Sequence, residues 1–439
     1  MNKALTLLLC LFLLALLAGL IGLGWIWFVG KDEAVMSDSD LALPEIVLPS
    51  DTDNIYNYLA KVQPLDVSEA NQYFLNSFFE DDIFNLKTAK PVIVKNQKFL
   101  EQFGQALEHT SYQDPTYEDV KGFWAGSILE PGLRLEAGAR FYLFNAVFLF
   151  YQGQETEAFE AALKLVRLGH LIEQSQGPAV QYLIGLRIKE EGLKIIRLFT
   201  SKTRLPVKTL LSYFQQLSNL ADSSLGLRNA LRVEYLMEAN NKSKAFDNTN
   251  NQQAMSLLGV GRGALDNFRR EFVYFYKPNK TKNILIQHFQ QLIANASKLY
   301  YQEIREALPN PKETAVSPNF FLALAQENIL GRRYLNNRLN SFSQLFKNYF
   351  TERFSVLGTQ VLLAVRAYWQ DNAKLPVSLS DLTSNYLTNW PRDPFDAQLL
   401  RYSSQKKIIY AVGFDLNDTV GSEGKNPYKM FDPSVIIGW

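Results

Sequence analysis

The stretch LEAGARFYLFNAVFLFYQGQETEAFEAALKLVRLGHLI, residues 135–172, decides the fold of this chain. Apolar side chains recur every three to four positions on both sides of Gln152-Gly153-Gln154, which is the spacing of an amphipathic helix. A glycine between two such runs is typical of a turn. The stretch therefore predicts two helices, Leu135–Tyr151 and Thr156–Ile172, joined as a helical hairpin.

Helical patterning continues through most of the chain. The spacing of Ala146, Gly153 and Ala158 matches one tetratricopeptide-like helix pair, although no second copy follows at the 34-residue period. Residues 51–341 are predicted to form an irregular α-helical array that is tetratricopeptide-like in part, and a helical bundle without repeats is an equal alternative. The polar segment Asn240–Gln253 predicts a loop. The further predicted helices are Val180–Phe199, Pro206–Leu220, Leu227–Met237, Ile284–Leu308, Pro318–Leu330 and Phe342–Trp369, the last of them with a break near Gly358.

The last eighty residues have a different character, and residues 342–439 are predicted to form a small α+β module. Ser378-x-x-Asp381 has the pattern of a capping box at the start of a short helix. Leu399–Tyr402 and Ile408–Val412 are short β-prone runs on either side of a polar turn, so we expect a β-hairpin. Asp415–Asn426 is rich in Gly, Asp and Asn and is predicted to be a loop.

The amino-terminal region predicts a single transmembrane helix over residues 4–29. No charged side chain occurs between Ala4 and Val29, and a helix of that length reaches roughly 39 Å, enough to cross a bilayer core of about 30 Å. The run is longer than the apolar core of a cleaved secretory signal and ends in Trp25, Trp27 and Phe28, which suit a membrane interface. Residues 30–50 then read as an extended linker.

Charge and cysteine content constrain where the body of the protein acts. Lys3 lies before the apolar run, whereas Lys31 is followed at once by Asp32 and Glu33. This bias favours a cytoplasmic amino terminus and an exported body. The 44 acidic and 44 basic residues after residue 30 cancel, which argues against a nucleic-acid partner. The single cysteine, Cys10, lies in the apolar run, so the body has no disulfide. We expect a single-pass protein of the bacterial inner membrane with a periplasmic body.

The carboxy-terminal module resembles the corresponding part of the major pseudopilin of type II secretion systems. The resemblance covers about eighty residues and implies architecture, with no activity. It rests on Ala364–Asn372, Leu375-Pro376, Pro391-Arg392-Asp393-Pro394-Phe395-Asp396, Leu400-Arg401-Tyr402, Tyr410-Ala411-Val412-Gly413-Phe414-Asp415 and the ending Asp432…Trp439. With its anchor, its helical middle bearing Leu168-Gly169-His170 and Gly177-Pro178, and this module, the chain as a whole resembles a family of uncharacterised bacterial envelope proteins.

A calcium site is predicted in the carboxy-terminal loop. Calcium takes six to eight oxygen ligands, and loops rich in carboxylates and carbonyls supply them. The pseudopilin resemblance implies calcium most directly at Asp415 and also at Asp432, with Asp418 as a third carboxylate. A plain β-turn uses the same residue types, so both interpretations stay open.

A second candidate site is a surface where cations alternate with aromatic rings, a composition that suits a glycan, peptide or lipid headgroup. An amphipathic helix that buries its aromatic side chains is the alternative. The surface consists of Arg262, Arg269, Arg270, Phe272, Tyr274 and Tyr276.

Sequence motifs of enzymes are few and weak. Gly259-Val-Gly261-Arg-Gly263 has no strand before it, Glu80-Asp81-Asp82 is typical of a solvated acidic face, and His109, His170 and His288 are far apart. We therefore predict a non-enzymatic, membrane-anchored periplasmic binding or scaffold protein that contacts another envelope component. The alternative is an envelope hydrolase or lyase that acts on a glycan or peptide.

Overall fold

The computed structural model describes residues 12–17, 19, 31–45, 49–66, 84–114, 126–247, 276–298, 300, 314–319, 322, 326–339, 342–383, 385–387, 390–421 and 432–439. The described chain is mainly α-helical with one small β-sheet near its carboxyl end, which confirms the predicted class. The helices are α1 (Ile55–Leu59), α2 (Leu86–Lys95), α3 (Gln97–Ala106), α4 (Gly126–Tyr151), α5 (Glu155–Gln174), α6 (Ala179–Lys202), α7 (Val207–Ser218), α8 (Ser224–Asp247), α9 (Pro278–Asn295), α10 (Ile329–Leu339) and α11 (Phe342–Asn372).

The chain groups into two compact units. One unit comprises Met1–Ala42, Glu238–Gln291 and Leu308–Phe342, and the larger one comprises Leu43–Met237, Leu292–Ala307 and Ser343–Trp439. The predicted division into an anchor (4–29), a linker (30–50), a helical domain (51–341) and a carboxy-terminal module (342–439) stays a prediction.

The predicted helical hairpin is the centre of the larger unit. Gly153 lies between α4 and α5 with φ of +84°, a backbone conformation that glycine adopts without steric cost. The apolar faces of α4, α5 and α6 meet in one core, where the rings of Phe150 and Phe199 stack with centroids 4.4 Å apart. Burial of each such ring contributes on the order of 2 kcal/mol, so this core holds the three helices together.

Helices α5 and α6 approach each other closely because glycines lie at their interface. A Cβ atom on Gly192 would lie 2.8 Å from Cγ2 of Val166, closer than atoms pack in proteins. Gly169 and Gly185 meet further along the same interface. Since no side chain separates the two backbones there, the two helices are in direct contact.

Helix α11 packs along α6 through a series of polar contacts. Arg197 of α6 donates to the hydroxyls of Ser355 and Thr359 at 2.8 and 3.0 Å, and Arg366 of α11 donates to the carbonyl of Thr203 at 2.5 Å. The contacts ascend together along both helices, so α6 and α11 run in the same direction.

The sheet has the predicted hairpin and a third strand that the sequence did not predict. Strands β1 (Arg401–Ser403), β2 (Ile408–Tyr410) and β3 (Ser434–Ile436) are antiparallel in the order β1-β2-β3. Val435 of β3 packs on Gly358, where a Cβ atom would lie 2.8 Å from its side chain. Helix α11 is continuous through Gly358, so the predicted break is wrong: this glycine makes room for the sheet. The capping box of Ser378 and Asp381 is confirmed at the start of the 3-10 helix Leu379–Leu382.

In the smaller unit, the segment predicted as a linker is bonded to helix α9. The carboxylate of Asp32 accepts hydrogen bonds from the backbone amides of Asn279 and Lys280 at 2.7 and 3.0 Å, in the first turn of the helix. Asn283 donates to the carbonyl of Ala34 at 2.8 Å and accepts from the amide of Met36 at 2.9 Å. The backbone just after the predicted anchor is therefore fixed to the folded unit.

One predicted loop is helical in part, and one predicted helix is described only in part. Residues 240–247, expected to be a loop, are the last turns of α8, because Lys and Ala residues among the asparagines favour helix; residues 248–253 lie outside the described residues. Within the helix predicted over 318–330, Leu322 is helical and residues 320–321 and 323–325 lie outside the described residues. Helix α10 begins at Ile329, directly after Asn328, whose φ of +56° an α-helix excludes.

Most of the predicted membrane anchor also lies outside the described residues. Residues 12–17 are helical and their large apolar side chains are exposed. In the part of the chain that the structure describes, no helix is both long and apolar enough to span a bilayer. The anchor stays a prediction.

Candidate functional site

The helical body encloses a cavity of about 950 Å³ between α1, α3, α4 and the start of α6. Volumes in this range are typical of sites for small molecules and peptide side chains. Most of the lining is apolar or aromatic, and Leu133 and Ala137 on α4 are exposed and mark the opening. Prominent lining side chains are Leu59, Val62, Leu65, Phe99, Phe103 and Ile184.

Two of the charged side chains that line the cavity, Glu136 and Arg140, form ion pairs between α4 and α6. Glu136 accepts two hydrogen bonds from Nη1 of Arg187, at 3.1 and 3.0 Å. One turn along both helices, Arg140 donates from Nε to Oε1 of Glu191 at 2.7 Å. Because the guanidinium of Arg187 takes up both oxygens of Glu136, that carboxylate is held as an ion-pair partner.

Two tyrosines give the cavity wall a polar edge. The rings of Tyr56 and Tyr112 meet edge to face with centroids 6.2 Å apart. Burial raises the pKa of both hydroxyls above the usual value, and the nearby carboxylate of Asp114 adds to the shift. The hydroxyls therefore remain neutral at pH 7.

A buried cluster of charges lies where α5, α6 and α11 meet. We call His170, Glu173, Lys189, Ser223 and Glu352 the Lys189 cluster. The ammonium of Lys189 lies 3.0 Å from Oε2 of Glu173 and 2.5 Å from Oε1 of Glu352. Ser223 donates to Oε2 of Glu352 at 3.2 Å, and Nδ1 of His170 lies 3.4 Å from the ammonium. The side chains of Lys189 and Glu173 are 0% exposed and that of Glu352 is 4% exposed.

The electrostatics of the cluster follow from its burial. Burial raises the pKa of Glu352 to about 7, and the attraction of Lys189 offsets this only in part. Burial also raises the pKa of Glu173. For Lys189, burial alone lowers the pKa, but attraction to the two carboxylates is larger and the net pKa is raised. His170 is neutral at pH 7, since burial and the neighbouring ammonium lower its pKa to about 4.

We did not predict the Lys189 cluster from the sequence. The helical spacing nevertheless indicates that Lys189 and Glu173 lie on buried faces of α6 and α5. Lys189 lies four residues after Gly185 and three before Gly192, on the buried stripe of α6. Glu173 follows Val166 and Gly169 at the same kind of spacing on α5. A charged residue in register with core glycines on each of two adjacent helices marks a buried pair.

The three predicted calcium ligands have separate partners in the structure. Asp418 accepts from Nε of Arg401 at 3.0 Å, and Asp415 accepts from the amide of Asn417 at 3.1 Å. Oδ2 of Asp432 accepts from the amides of Thr419 and Gly421, at 2.9 and 3.0 Å. Across the described ranges, no three His, Cys, Asp or Glu side chains are grouped in a way that could hold a metal ion. Residues 422–431 of the loop lie outside those ranges, so calcium binding stays a prediction.

Most other candidates fall where the structure gives no description. Arg262, Arg269, Arg270, Phe272 and Tyr274 lie outside the described residues, as do Gly259–Gly263 and Glu80–Asp82. Tyr276 is described and half-buried, next to Lys277, which pairs with Glu327. The structure therefore places one member of the predicted cation–aromatic surface.

The histidines are in three separate environments. His109 stacks on the ring of Tyr58 with centroids 3.8 Å apart, His170 belongs to the Lys189 cluster, and His288 is buried between aromatic rings. They share no site.

No family model, curated protein or solved structure matches this chain. The resemblance of the carboxy-terminal module to pseudopilins, and of the whole chain to envelope proteins, stays a prediction.

Proposed function

We propose that the protein is a membrane-anchored binding protein of the bacterial cell envelope, with its amino terminus in the cytoplasm and its body in the periplasm. The body binds an apolar ligand, or an apolar segment of another envelope protein, in the cavity beside α4, and does not convert it. The cavity is the observation that carries this proposal. Its volume of about 950 Å³ and its aromatic walls suit a ligand that buries apolar surface.

The charge arrangement at the cavity supports binding over catalysis. General acid–base chemistry needs a carboxyl group that is free to exchange protons with a bound substrate. Glu136 instead gives both oxygens to Arg187, and Glu191 beside it receives Arg140. The other carboxylate of the lining, Asp114, is hydrogen-bonded to the hydroxyl of Tyr56. These pairs shape the wall and leave the aromatic surface to make the contacts.

The membrane attachment is supported by exposed apolar side chains near the amino terminus. Leu13, Leu14 and Leu17 are each more than half exposed on a helical segment, and such exposure suits a lipid environment. Asp32 then bonds directly to α9. The anchor would therefore lead into folded structure within a few residues.

Ligand binding can be tested on the full-length protein in mild detergent with the apolar dye N-phenylnaphthylamine. We expect saturable dye fluorescence that decreases in the variant Ala137→Trp, which narrows the opening. Leu225→Trp is the matched control, because Leu225 is exposed on α8 and is not part of the lining. Equal dye binding by Ala137→Trp and wild type would refute the cavity as the site.

The topology has its own test. Alkaline phosphatase fused after residue 50 should be active in intact bacterial cells, since the enzyme needs an oxidising compartment to form its disulfides. The amino terminus of the mature protein should lie at the initiator region. A mature terminus mapped beyond residue 30 would replace the anchor with a cleaved signal peptide.

A further inference from the structure

The Lys189 cluster has an unbalanced charge. Glu173 and Glu352 bring two carboxyl groups to a single ammonium, and His170 is neutral, so the fully ionised cluster carries a net charge of −1. A buried net charge is costly, because the low-dielectric interior does not replace the hydration that the ion loses.

The surrounding elements do not supply a second close cation among the described residues. On α6, the hydroxyl of Tyr182 donates a hydrogen bond to Ser223 at 3.4 Å. In the turn before α8, Asp222 places another acidic side chain near the cluster. From α11, Arg353 donates to the hydroxyl of Tyr349 at 3.3 Å. Asp222 is itself held by the amide of Ser224, at 3.0 Å, and is attracted by the charges of Arg353 and of Arg228 on α8.

At least one carboxylate oxygen of the cluster receives no hydrogen bond from the described residues. Oε1 of Glu173 is buried and has no hydrogen-bond partner in the described part of the chain. Protonation of one carboxyl group would make the cluster neutral and convert an acceptor into a donor. This would remove the net charge of the cluster.

We propose that the Lys189 cluster is a proton-binding site that makes the docking of α11 onto α5 and α6 depend on pH. One proton from solvent adds to a carboxylate oxygen of Glu352 or Glu173, and the net charge of the cluster changes from −1 to 0. The protonated form holds α11 in place. Loss of the proton leaves two buried carboxylates to compete for Lys189, and the contact weakens.

The pKa directions agree with this geometry. Burial raises the pKa of Glu352 to about 7, whereas the same group in an unfolded chain titrates near 4.5. Between those two values the folded state binds the proton and the unfolded state does not, so stability decreases as the pH rises through this window. The site therefore responds in the neutral range.

Helix α11, which contains Glu352, also packs against the sheet. Val435 of β3 packs on Gly358, less than two turns from Glu352. Phe350 contacts Tyr300 and Phe395, with ring centroids 5.3 and 6.1 Å apart. Release of a proton would thus loosen the attachment of the carboxy-terminal module to the helical body, independently of whether the cavity binds a ligand.

The test compares the full-length wild type in detergent with Glu352→Gln, which imitates the protonated carboxyl group. Thermal midpoints are measured from about pH 5 to about pH 8. We expect the midpoint of the wild type to fall by several degrees relative to Glu352→Gln as the pH rises. Other titrating groups, including His170, occur in both proteins and largely cancel in this difference. Glu101→Gln, an exposed position on α3, is the control and should follow the wild type.

Infrared difference spectra give a second readout that does not depend on unfolding. The wild type should lose a protonated-carboxyl C=O band between about pH 6 and about pH 8, and Glu352→Gln or Glu173→Gln should lack it. The proposal would be overturned if the thermal midpoints of the wild type and of Glu352→Gln changed by the same amount between about pH 5 and about pH 8. It would also be overturned if Glu352→Gln and Glu173→Gln both kept the protonated-carboxyl C=O band of the wild type unchanged.

Discussion

Gly169 and Gly185 pack backbone against backbone across the interface of α5 and α6. A Cβ atom on Gly169 would lie 2.6 Å from the carbonyl oxygen of Gly185, and one on Gly185 would lie 2.8 Å from the carbonyl oxygen of Gly169. This contact brings Glu173 and Lys189 within hydrogen-bonding distance.

The variant Gly185→Ala should therefore be destabilised. Alanine favours helix by about 1 kcal/mol over glycine, but the helices must separate to admit the methyl group, and we expect a net loss of about 1–3 kcal/mol. Urea unfolding followed by circular dichroism measures this. Gly104→Ala is the matched control, since its Cβ would lie 3.4 Å from the nearest atom of Tyr142 and should leave stability equal or higher. Equal losses in both variants would contradict the close-packing argument.

Lys189→Met should unfold the larger unit far more easily than a typical core substitution. It removes the only ammonium between Glu173 and Glu352 and leaves two carboxyl groups buried without a counter-charge. We expect a loss of about 3–5 kcal/mol in the free energy of unfolding.

The double variant Lys189→Met, Glu352→Gln should recover part of that loss, because one of the two stranded carboxylates is gone. Denaturant titrations of the four proteins form a double-mutant cycle. Strictly additive losses would show that the two side chains do not interact.

The pH dependence of the smaller unit should show the burial of His288. Burial lowers its pKa to about 4, and Nε2 has no hydrogen-bond partner among the described residues. Above the unfolded value of about 6.5 the ring is neutral in both states. As the pH falls from about 6.5 to about 4, only the unfolded state gains a proton, so stability falls by about 3 kcal/mol.

His288→Phe should flatten this part of the profile, as a phenyl ring suits the neighbouring Phe289 and Phe342. The measurement is the difference in unfolding free energy between variant and wild type over the acidic range. A difference that stays constant with pH would contradict the prediction.

The carboxy-terminal loop provides the test of calcium binding. If Asp415, Asp418 and Asp432 contribute to a site, calcium bound only to the folded form stabilises it by about 2.7 kcal/mol at a hundredfold excess over Kd. The full-length protein should then melt higher in calcium than in chelator, and Asp415→Ala should lose that response while it keeps its fold. Identical wild-type melting curves over millimolar calcium would show that the loop is a turn.

The sequence predicted the helices whose apolar spacing is regular and missed features that depend on distant partners. The hairpin of α4 and α5 was predicted to within a few residues at its turn, because Gly153 and the periodic runs are local signals. Strand β3 was missed, since the three residues Ser434–Ile436 become a strand only by pairing with β2. The end of α8 was missed because asparagine-rich helix and loop differ little in composition.

The candidate sites were missed for the same reason, because they depend on residues that are distant in sequence. The cavity is lined by side chains from α1, α3, α4 and α6. A sequence pattern within one helix does not predict a space between several helices. The Lys189 cluster joins Glu173 to Glu352, 179 positions later in the chain. Apolar spacing could place Lys189 on a buried face, but only the fold identifies the carboxylates that meet it there.

The parallel contact of α6 with α11 has a consequence for the order of folding. Helices α4, α5 and α6 are consecutive and joined by short turns, so their contacts form at low entropic cost. Helix α11 comes more than a hundred residues later, and its docking closes a long loop. Before that step the ammonium of Lys189 lacks its contact with Glu352. The free-energy cost of removing water from this ammonium is therefore met in part when α11 docks. We expect the docking of α11 to be the slow step of folding.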